Sequence, residues 1–239
     1  MRHKLTRFII LFPGRAGGTY LLGGLKGHPQ LRVKGEPLGV LAKKGAEAQL
    51  TWLRDYYRGP LVSRARAIGI LTKFPDIVDP EATAEFLRGI GTRVVSLERE
   101  NHVKTAVSII RARKLKDATG RWNKYSTDTE LEAFDIDPED LELRLARSQA
   151  RKAATAKYAE DLGLPFMRLT YESLLTDADA SFGRVFDFLG AEPMTVTSNS
   201  LKVTSDDLRK SVRNFDELRA RYVGTPLEPM FDEVLTPGG

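Results

Sequence analysis

The sequence predicts a three-layer α/β domain with a mainly parallel central sheet flanked by helices. Short apolar runs rich in β-formers recur at residues 8–12, 31–33, 67–74, 92–97 and 166–169. Helical patterns separate most of these runs, and no internal repeat, low-complexity block or linker interrupts the alternation. Strand and helix in turn are the mark of crossover connections on a parallel sheet. A chain of 239 residues, 41% of them apolar, can bury one full core, so residues 1–239 are read as a single domain.

The first strand is Phe8-Ile9-Ile10-Leu11-Phe12. Pro13-Gly14-Arg15-Ala16-Gly17-Gly18-Thr19 follows, and then Tyr20, Leu21, Leu22 and Leu25 at roughly helical spacing. Strand, glycine loop and helix in that order make an anion site. Glycines let the backbone close around a phosphate, the helix N-terminus offers free N–H groups, and Arg15 and Thr19 add donors. The Walker A pattern does not fit, because it places a lysine directly before the helical hydroxyl. Here Gly18 precedes Thr19, and the cation is Arg15, four places earlier. An ordinary tight strand–helix turn would use the same residues, so a second motif has to decide.

Leu31-Arg32-Val33 is a short strand running into Gly35-Glu36-Pro37-Leu38, where proline fixes the chain just after Glu36. Its carboxylate is thereby held at a strand end, where α/β sheets bind ligands. A solvated loop glutamate is the competing account. Residues 45–58 read as an amphipathic helix, 67–74 as a strand with Lys73 near its end, and 81–90 as a helix stopped by Gly89 and Gly91. The strand at 92–97 delivers Glu98-Arg99-Glu100-Asn101, and a helix starts near Asn101, a suitable cap. Ser108 lies among the apolar residues of that helix. This second strand-to-helix junction, with its arginine and serine, is a second oxyanion site; a buried hydroxyl bonded one turn back is the alternative for Ser108.

Residues 114–137 are polar and poorly periodic, the candidate for a mobile lid, and Trp122 within them either covers something or packs back onto the domain. Residues 138–162 form a long helix with Pro138 in its first turn and Gly163 at its end. The last clear strand, 166–169, gives Tyr171-Glu172-Ser173-Leu174, and 182–189 is a helix ended by Gly190. A basic loop at 198–204 contains Lys202. A helix capped by Ser205 is expected next, with Leu208, Val212, Phe215 and Leu218 on one face, and the proline-bearing tail 225–239 is expected to fray.

Lysine and arginine outnumber aspartate and glutamate by 37 to 32, a net charge of +5. That balance suits a basic surface or a site for a polyanionic nucleotide, with nucleic acid a weaker fit. There is no cysteine, which excludes disulfides and cysteine-ligated metal, and no other metal cluster is visible. The basic N-terminus is followed by an apolar run of only five residues, too short for a signal peptide or a membrane span, so a cytoplasmic protein is expected.

With both junctions placed, the chain resembles the sulfotransferases that use 3′-phosphoadenosine 5′-phosphosulfate (PAPS), which have a P-loop-like fold. It is most similar to bacterial carbohydrate sulfotransferases of the nodulation-factor and trehalose-sulfating kind. The matching stretches are residues 15–22, His28-Pro29, Gly35-Glu36-Pro37-Leu38, residues 94–112, Tyr171-Glu172-Ser173-Leu174, Phe188-Leu189-Gly190, and residues 202–208 with Asn214. They cover most of the chain in order.

The resemblance implies roles for individual residues. Arg15 contacts the 5′-phosphosulfate, while Ala16, Gly17, Gly18 and Thr19 wrap it. Tyr20 takes the place of an aromatic that stacks on adenine. Arg99 and Ser108 match the pair that binds the 3′-phosphate, and Tyr171 falls near the nucleotide. Glu36 sits where some bacterial members place a general base. Three departures stand out: Gly18 replaces a common second threonine, the Arg99–Ser108 spacing follows the bacterial form, and the C-terminal glycine-lysine motif is absent, with Lys202 and Arg209 as substitutes. The reaction class needs no metal, and the family allows a homodimer.

Sulfuryl transfer depends mostly on positioning and charge stabilisation. Arg15 and the loop N–H groups are expected to stabilise charge on the oxygen bridging sulfur and nucleotide, with Glu36 as the base. Lys73 can assist the sulfuryl oxygens, and Trp122 can stack on a sugar. His28, before a turn proline, is read as structural. A small-molecule kinase using ATP is the first rival; it lacks the loop lysine, and Glu98 is a poor magnesium ligand. A non-catalytic nucleotide- or RNA-binding module is the second; it lacks interleaved aromatics and has no need of a fixed Glu36 turn. The acceptor itself, a carbohydrate or other small-molecule hydroxyl, is not spelled out by any motif.

Overall fold

The computed structural model describes residues 5–59, 65–119, 132–196 and 206–236. Its elements run β1 (Thr6–Phe12), α1 (Gly18–Gly27), β2 (Leu31–Gly35), α2 (Pro37–Leu41), α3 (Ala46–Arg58), β3 (Ala67–Lys73), α4 (Pro80–Gly89) and β4 (Arg93–Glu98). There follow α5 (His102–Thr119), α6 (Pro138–Asp161), β5 (Phe166–Thr170), α7 (Tyr171–Thr176), α8 (Ala178–Leu189), α9 (Phe215–Ala220) and α10 (Glu228–Asp232). The five strands make one sheet in the order β2-β3-β1-β4-β5, and every pairing is parallel.

Alternation along β1 shows how the layers form. Phe8, Ile10 and Phe12 point to one face and meet Leu21 and Leu25 of α1 and Phe182, Val185, Phe186 and Leu189 of α8. Ile9 and Leu11 point to the other and meet Leu53 and Tyr57 of α3, Leu87 of α4, Ala159 of α6 and Leu162 just after it. Burial on both faces is why the strand reads as an unbroken apolar run. A third cluster joins Val103, Ala106 and Ile110 of α5 to Leu141 and Leu145 of α6, and to Val212, Phe215 and Phe231.

Register then lines up the strand ends. Phe12 pairs with Lys73, Gly35 with Leu71, and Glu98 with Thr170. The loop after β1, Glu36, Lys73, Arg99 and Tyr171 therefore all emerge at the carboxyl edge of the sheet, where parallel α/β folds bind ligands.

Three expectations change. Residues 114–119 continue α5, so the stretch expected as a lid begins as helix; residues 120–131, Trp122 among them, lie outside the described residues. The helix expected from Ser205 through Leu218 is instead a 3-10 turn at Leu208–Lys210, capped by the Asp207 carboxylate, followed by the separate α9. Between them Val212 bridges Phe134 in parallel, and the Arg213 N–H donates to the Phe134 carbonyl at 3.0 Å. That pairing takes the backbone out of helical geometry while keeping the same apolar residues inward. The tail expected to fray carries α10, whose Phe231 is buried against Phe215 and Tyr222.

Candidate active site

The loop after β1 turns tightly because Gly14, Arg15 and Gly17 all have left-handed backbones, with φ of 96°, 56° and 85°. Ala16 is buried in the core and pins the loop from below. Gly17 caps α1 and offers no side-chain acceptor, so the first N–H groups of this ten-residue helix face the cleft without a cap from it. Glycine is required there twice over: φ is positive, and a Cβ would overlap the ring of Tyr171. A Cβ at Gly18 would stand 3.0 Å from the Phe12 ring, so a threonine there would need that ring to shift. Thr19 is exposed on the first turn of α1. Tyr20, half-buried, packs at 6.0 Å from Phe182 of α8.

Tyr171 joins the two junctions. One side of it lies against Gly17, and the Arg99 guanidinium stands 4.7 Å from its ring centre. Burial raises the Tyr171 pKa, with the Arg99 charge opposing. Arg99 is 11% exposed, and its Nε is buried with no hydrogen-bond partner among the described residues. Loss of water lowers its pKa from the ordinary guanidinium value, against the pull of Tyr171, Glu172 and Glu233. Arg15 is an exposed residue whose guanidinium is nonetheless partly desolvated. That desolvation, with the Arg99 charge, lowers its pKa too. The two positive charges share one corner of the site, offset in part by Tyr171 and Glu36 around Arg15 and by Tyr171, Glu172 and Glu233 around Arg99.

It is Arg15 that reaches Ser108: its Nε donates to the hydroxyl at 2.9 Å. The two strand-to-helix junctions expected as separate anion sites are thus joined by a direct hydrogen bond. The turn into α5 is held by Glu172, which accepts the N–H groups of Glu100 at 3.1 Å and Asn101 at 3.2 Å, and by Asn101, whose Oδ1 accepts the Lys104 N–H at 2.8 Å. Behind Arg99, the buried Lys104 ammonium pairs with Asp206 and with Glu233 at 3.2 Å.

On the other side of the loop, Lys73 forms an ion pair with Glu36 and lies 3.9 Å from Asp76. Lys73 also flanks the loop, its Cδ 3.7 Å from where a Gly14 Cβ would stand. Glu36 has φ 49° and ψ 41°, left-handed for a non-glycine residue. Arg15 and Glu36 are the two non-glycine residues with positive φ among those described, and strained backbone of this kind gathers at functional sites. Gln49, 1% exposed, locks this half of the site. Its amide nitrogen donates to the carbonyls of Leu38 and Asp76, both at 2.7 Å, and its oxygen accepts the Val78 N–H at 3.0 Å.

The structure therefore brings together Arg15, Ala16, Gly17, Gly18, Thr19, Arg99, Ser108 and Tyr171, with Glu36 and Lys73 beside the loop. Lys202 and Trp122 lie outside the described residues. Arg209 is turned to Asp232 and the face of Phe215. His28 is structural: it accepts the Gln30 N–H on Nδ1, which leaves Nε2 to donate to the Glu192 carbonyl. Glu172, Lys104 and Gln49 were missed as site residues. The sequence signal for Glu172 was its place beside Tyr171 at a strand end; the other two had none.

No protein-family model matches the chain. It is 28% identical over 251 residues to nodulation protein H of Rhizobium tropici, covering 97% of this chain and 96% of that one. It is 26% identical over 242 residues to nodulation protein H of Rhizobium meliloti strain 1021, covering 94% of each. Among solved structures, a sulfotransferase from Alicyclobacillus acidocaldarius aligns with a TM-score of 0.53 at 17% identity, over 96% of this chain and 97% of that one. Mouse sulfotransferase SULT7A1, complexed with PAP, aligns with a TM-score of 0.50 at 12% identity, over 95% and 88%. At those identities the solved structures speak for the fold.

The chain thus shares the fold of solved sulfotransferases and is similar to nodulation protein H over nearly its whole length. The likeness to the rhizobial nodulation proteins agrees with the resemblance that the motifs carry. No helix among the described residues is long and apolar enough to cross a membrane.

Proposed function

We propose that the chain, acting as one domain in the cytoplasm, transfers the sulfuryl group of PAPS in line to a hydroxyl of a carbohydrate or other small molecule. One observation carries the reading. Arg15 and Arg99 converge on Tyr171 beside an N-terminus whose cap offers no side-chain acceptor, and a buried Arg99 Nε has no hydrogen-bond partner among the described residues. A nucleotide with phosphates at both ends of its ribose fits that donor set. PAPS supplies an activated sulfuryl group; everything else is the work of this chain.

Arg15 and the N–H groups of the loop hold the 5′ end and stabilise the charge that develops on the bridging oxygen. Arg99, with Ser108 once Arg15 is drawn to the nucleotide, holds the 3′-phosphate. Tyr171 fills the space between the two arginines, and Tyr20 flanks the base. Glu36 accepts the proton of the acceptor hydroxyl, and Lys73 places its carboxylate next to the loop while facing the sulfuryl oxygens. Lys202 and Trp122 complete the nucleotide and acceptor sides in this reading, and a homodimer is compatible with it. The kinase alternative gains nothing, because no lysine stands on the loop.

The test is a titration with 3′-phosphoadenosine 5′-phosphate against ADP and AMP, followed by an acceptor screen with labelled PAPS. The bisphosphate should bind at least about tenfold more tightly than AMP, the worth of one charge-assisted contact. Equal binding of the two rejects the proposal.

A further inference from the structure

Lys104 lies on α5, one turn past the junction that delivers Arg99, and no motif or expected role accounts for it. Its ammonium is 2% exposed and sits between the Asp206 and Glu233 carboxylates. Burying a lysine so completely is costly without partners, and these partners come from far along the chain. Asp206, only 5% exposed, is shared: one oxygen accepts from Lys104 and from the Leu235 N–H at 2.7 Å, while the other lies 4.0 Å from the Arg99 guanidinium. Arg99 thus has a carboxylate within reach, but one already claimed by a closer cation.

We propose that Lys104 is a positioning residue for the ribose-phosphate pocket: by holding Asp206 and Glu233, it keeps the Arg99 guanidinium available to an incoming anion. The inference rests on the reading of Arg99 as the 3′-phosphate contact. Three carboxylates surround this corner, but Glu172 is engaged by the N–H groups of Glu100 and Asn101, just before α5. Without Lys104, the desolvated Asp206 would have Arg99 as the facing cation shown by the structure. A buried carboxylate that loses a close cation strengthens its hold on the other cations in reach. Arg99 would then be neutralised from behind, and a phosphate would have to displace Asp206 to bind. The alternative is a plain structural tie, in which the Lys104 cluster only anchors residues 206–236.

The two accounts separate in titrations of Lys104→Met, Asp206→Asn and the double variant with 3′-phosphoadenosine 5′-phosphate and with AMP, each protein checked by thermal unfolding. Lys104→Met should lose about ten- to a hundredfold of its preference for the bisphosphate over AMP, while AMP binding stays unchanged. The double variant, which removes cation and carboxylate together, should regain the wild-type preference, and Asp206→Asn alone should keep it. Equal weakening of both ligands in Lys104→Met, or a folded double variant that regains nothing, overturns the proposal in favour of the structural tie. If Lys104→Met does not fold, the double variant decides by the same criterion. A wild-type protein without preference for the bisphosphate overturns the Arg99 reading itself, an outcome distinct from failure of the rescue.

Discussion

Replacing Glu36 with glycine is expected to abolish transfer and still leave a protein more stable than the Glu36→Ala variant. Glu36 is left-handed at φ 49° and ψ 41°, just before Pro37 opens α2. Its N–H remains tied to the Leu71 carbonyl, so the residue is held there by the sheet. For an L-residue the left-handed region costs about 1–2 kcal/mol, and glycine is spared that cost. Both variants lose the same ion pair to Lys73, a half-exposed contact worth at most about 1 kcal/mol, so it cancels in the comparison. Against glycine stands its larger freedom in the unfolded chain, about 0.5–1 kcal/mol. The balance favours glycine by about 0.5–1 kcal/mol, or roughly 1–4 °C in Tm for a chain of this size. Urea and thermal unfolding followed by circular dichroism read the stability, and single-turnover transfer from labelled PAPS reads the chemistry. An alanine variant as stable as the glycine one would refute the backbone argument. Turnover retained in either variant would place the base elsewhere.

Four further outcomes are expected. Arg15→Ala should lose about a hundredfold or more in turnover, as loss of an oxyanion donor does, and near-normal turnover would remove Arg15 from the chemistry. Arg99→Met should bind AMP as the wild type does while losing its preference for the bisphosphate, read by calorimetry. Gly17→Ala should destabilise the fold by about 2–4 kcal/mol, from the positive φ together with overlap on Tyr171, and an unchanged urea midpoint would show that the loop packs otherwise. Asp76 gives a pH signature: burial holds its carboxyl above the ordinary value, opposed by the Lys73 charge and aided by that of Glu36. The folded protein therefore binds more protons than the unfolded chain between the ordinary and the raised pKa, and stability falls as pH rises through that window. Asp76→Asn should flatten that fall in unfolding measured across mildly acidic pH.

What could be read in the sequence was what local chemistry dictates. Phe8 to Phe12 announce a strand buried on both faces, and the glycines after them announce a loop that must close on something. Arg99 and Tyr171 were visible because each directly follows a strand, where position alone supplies a role. The residues that set the environment of these groups were not visible. Lys104 meets Asp206 across more than a hundred positions, and Gln49 is an ordinary residue of an amphipathic helix until α2 and the turn after β3 fold around it. The broken helix after Ser205 shows the same limit from the other side. Leu208, Val212, Phe215 and Leu218 keep helical spacing because all four face one apolar cluster, yet a backbone bridge to Phe134 decides their conformation.

The Gln49 clamp has an evolutionary consequence. It fastens together only the segments that follow β2 and β3, next to Glu36 and to Lys73 at the end of β3, and leaves those that follow β1, β4 and β5 to their own supports. If the first pair handles the acceptor and the rest grip the donor, the two duties are mounted on opposite halves of the sheet. Mutation could then retune which hydroxyl is modified by altering one half, with donor handling inherited intact from the other.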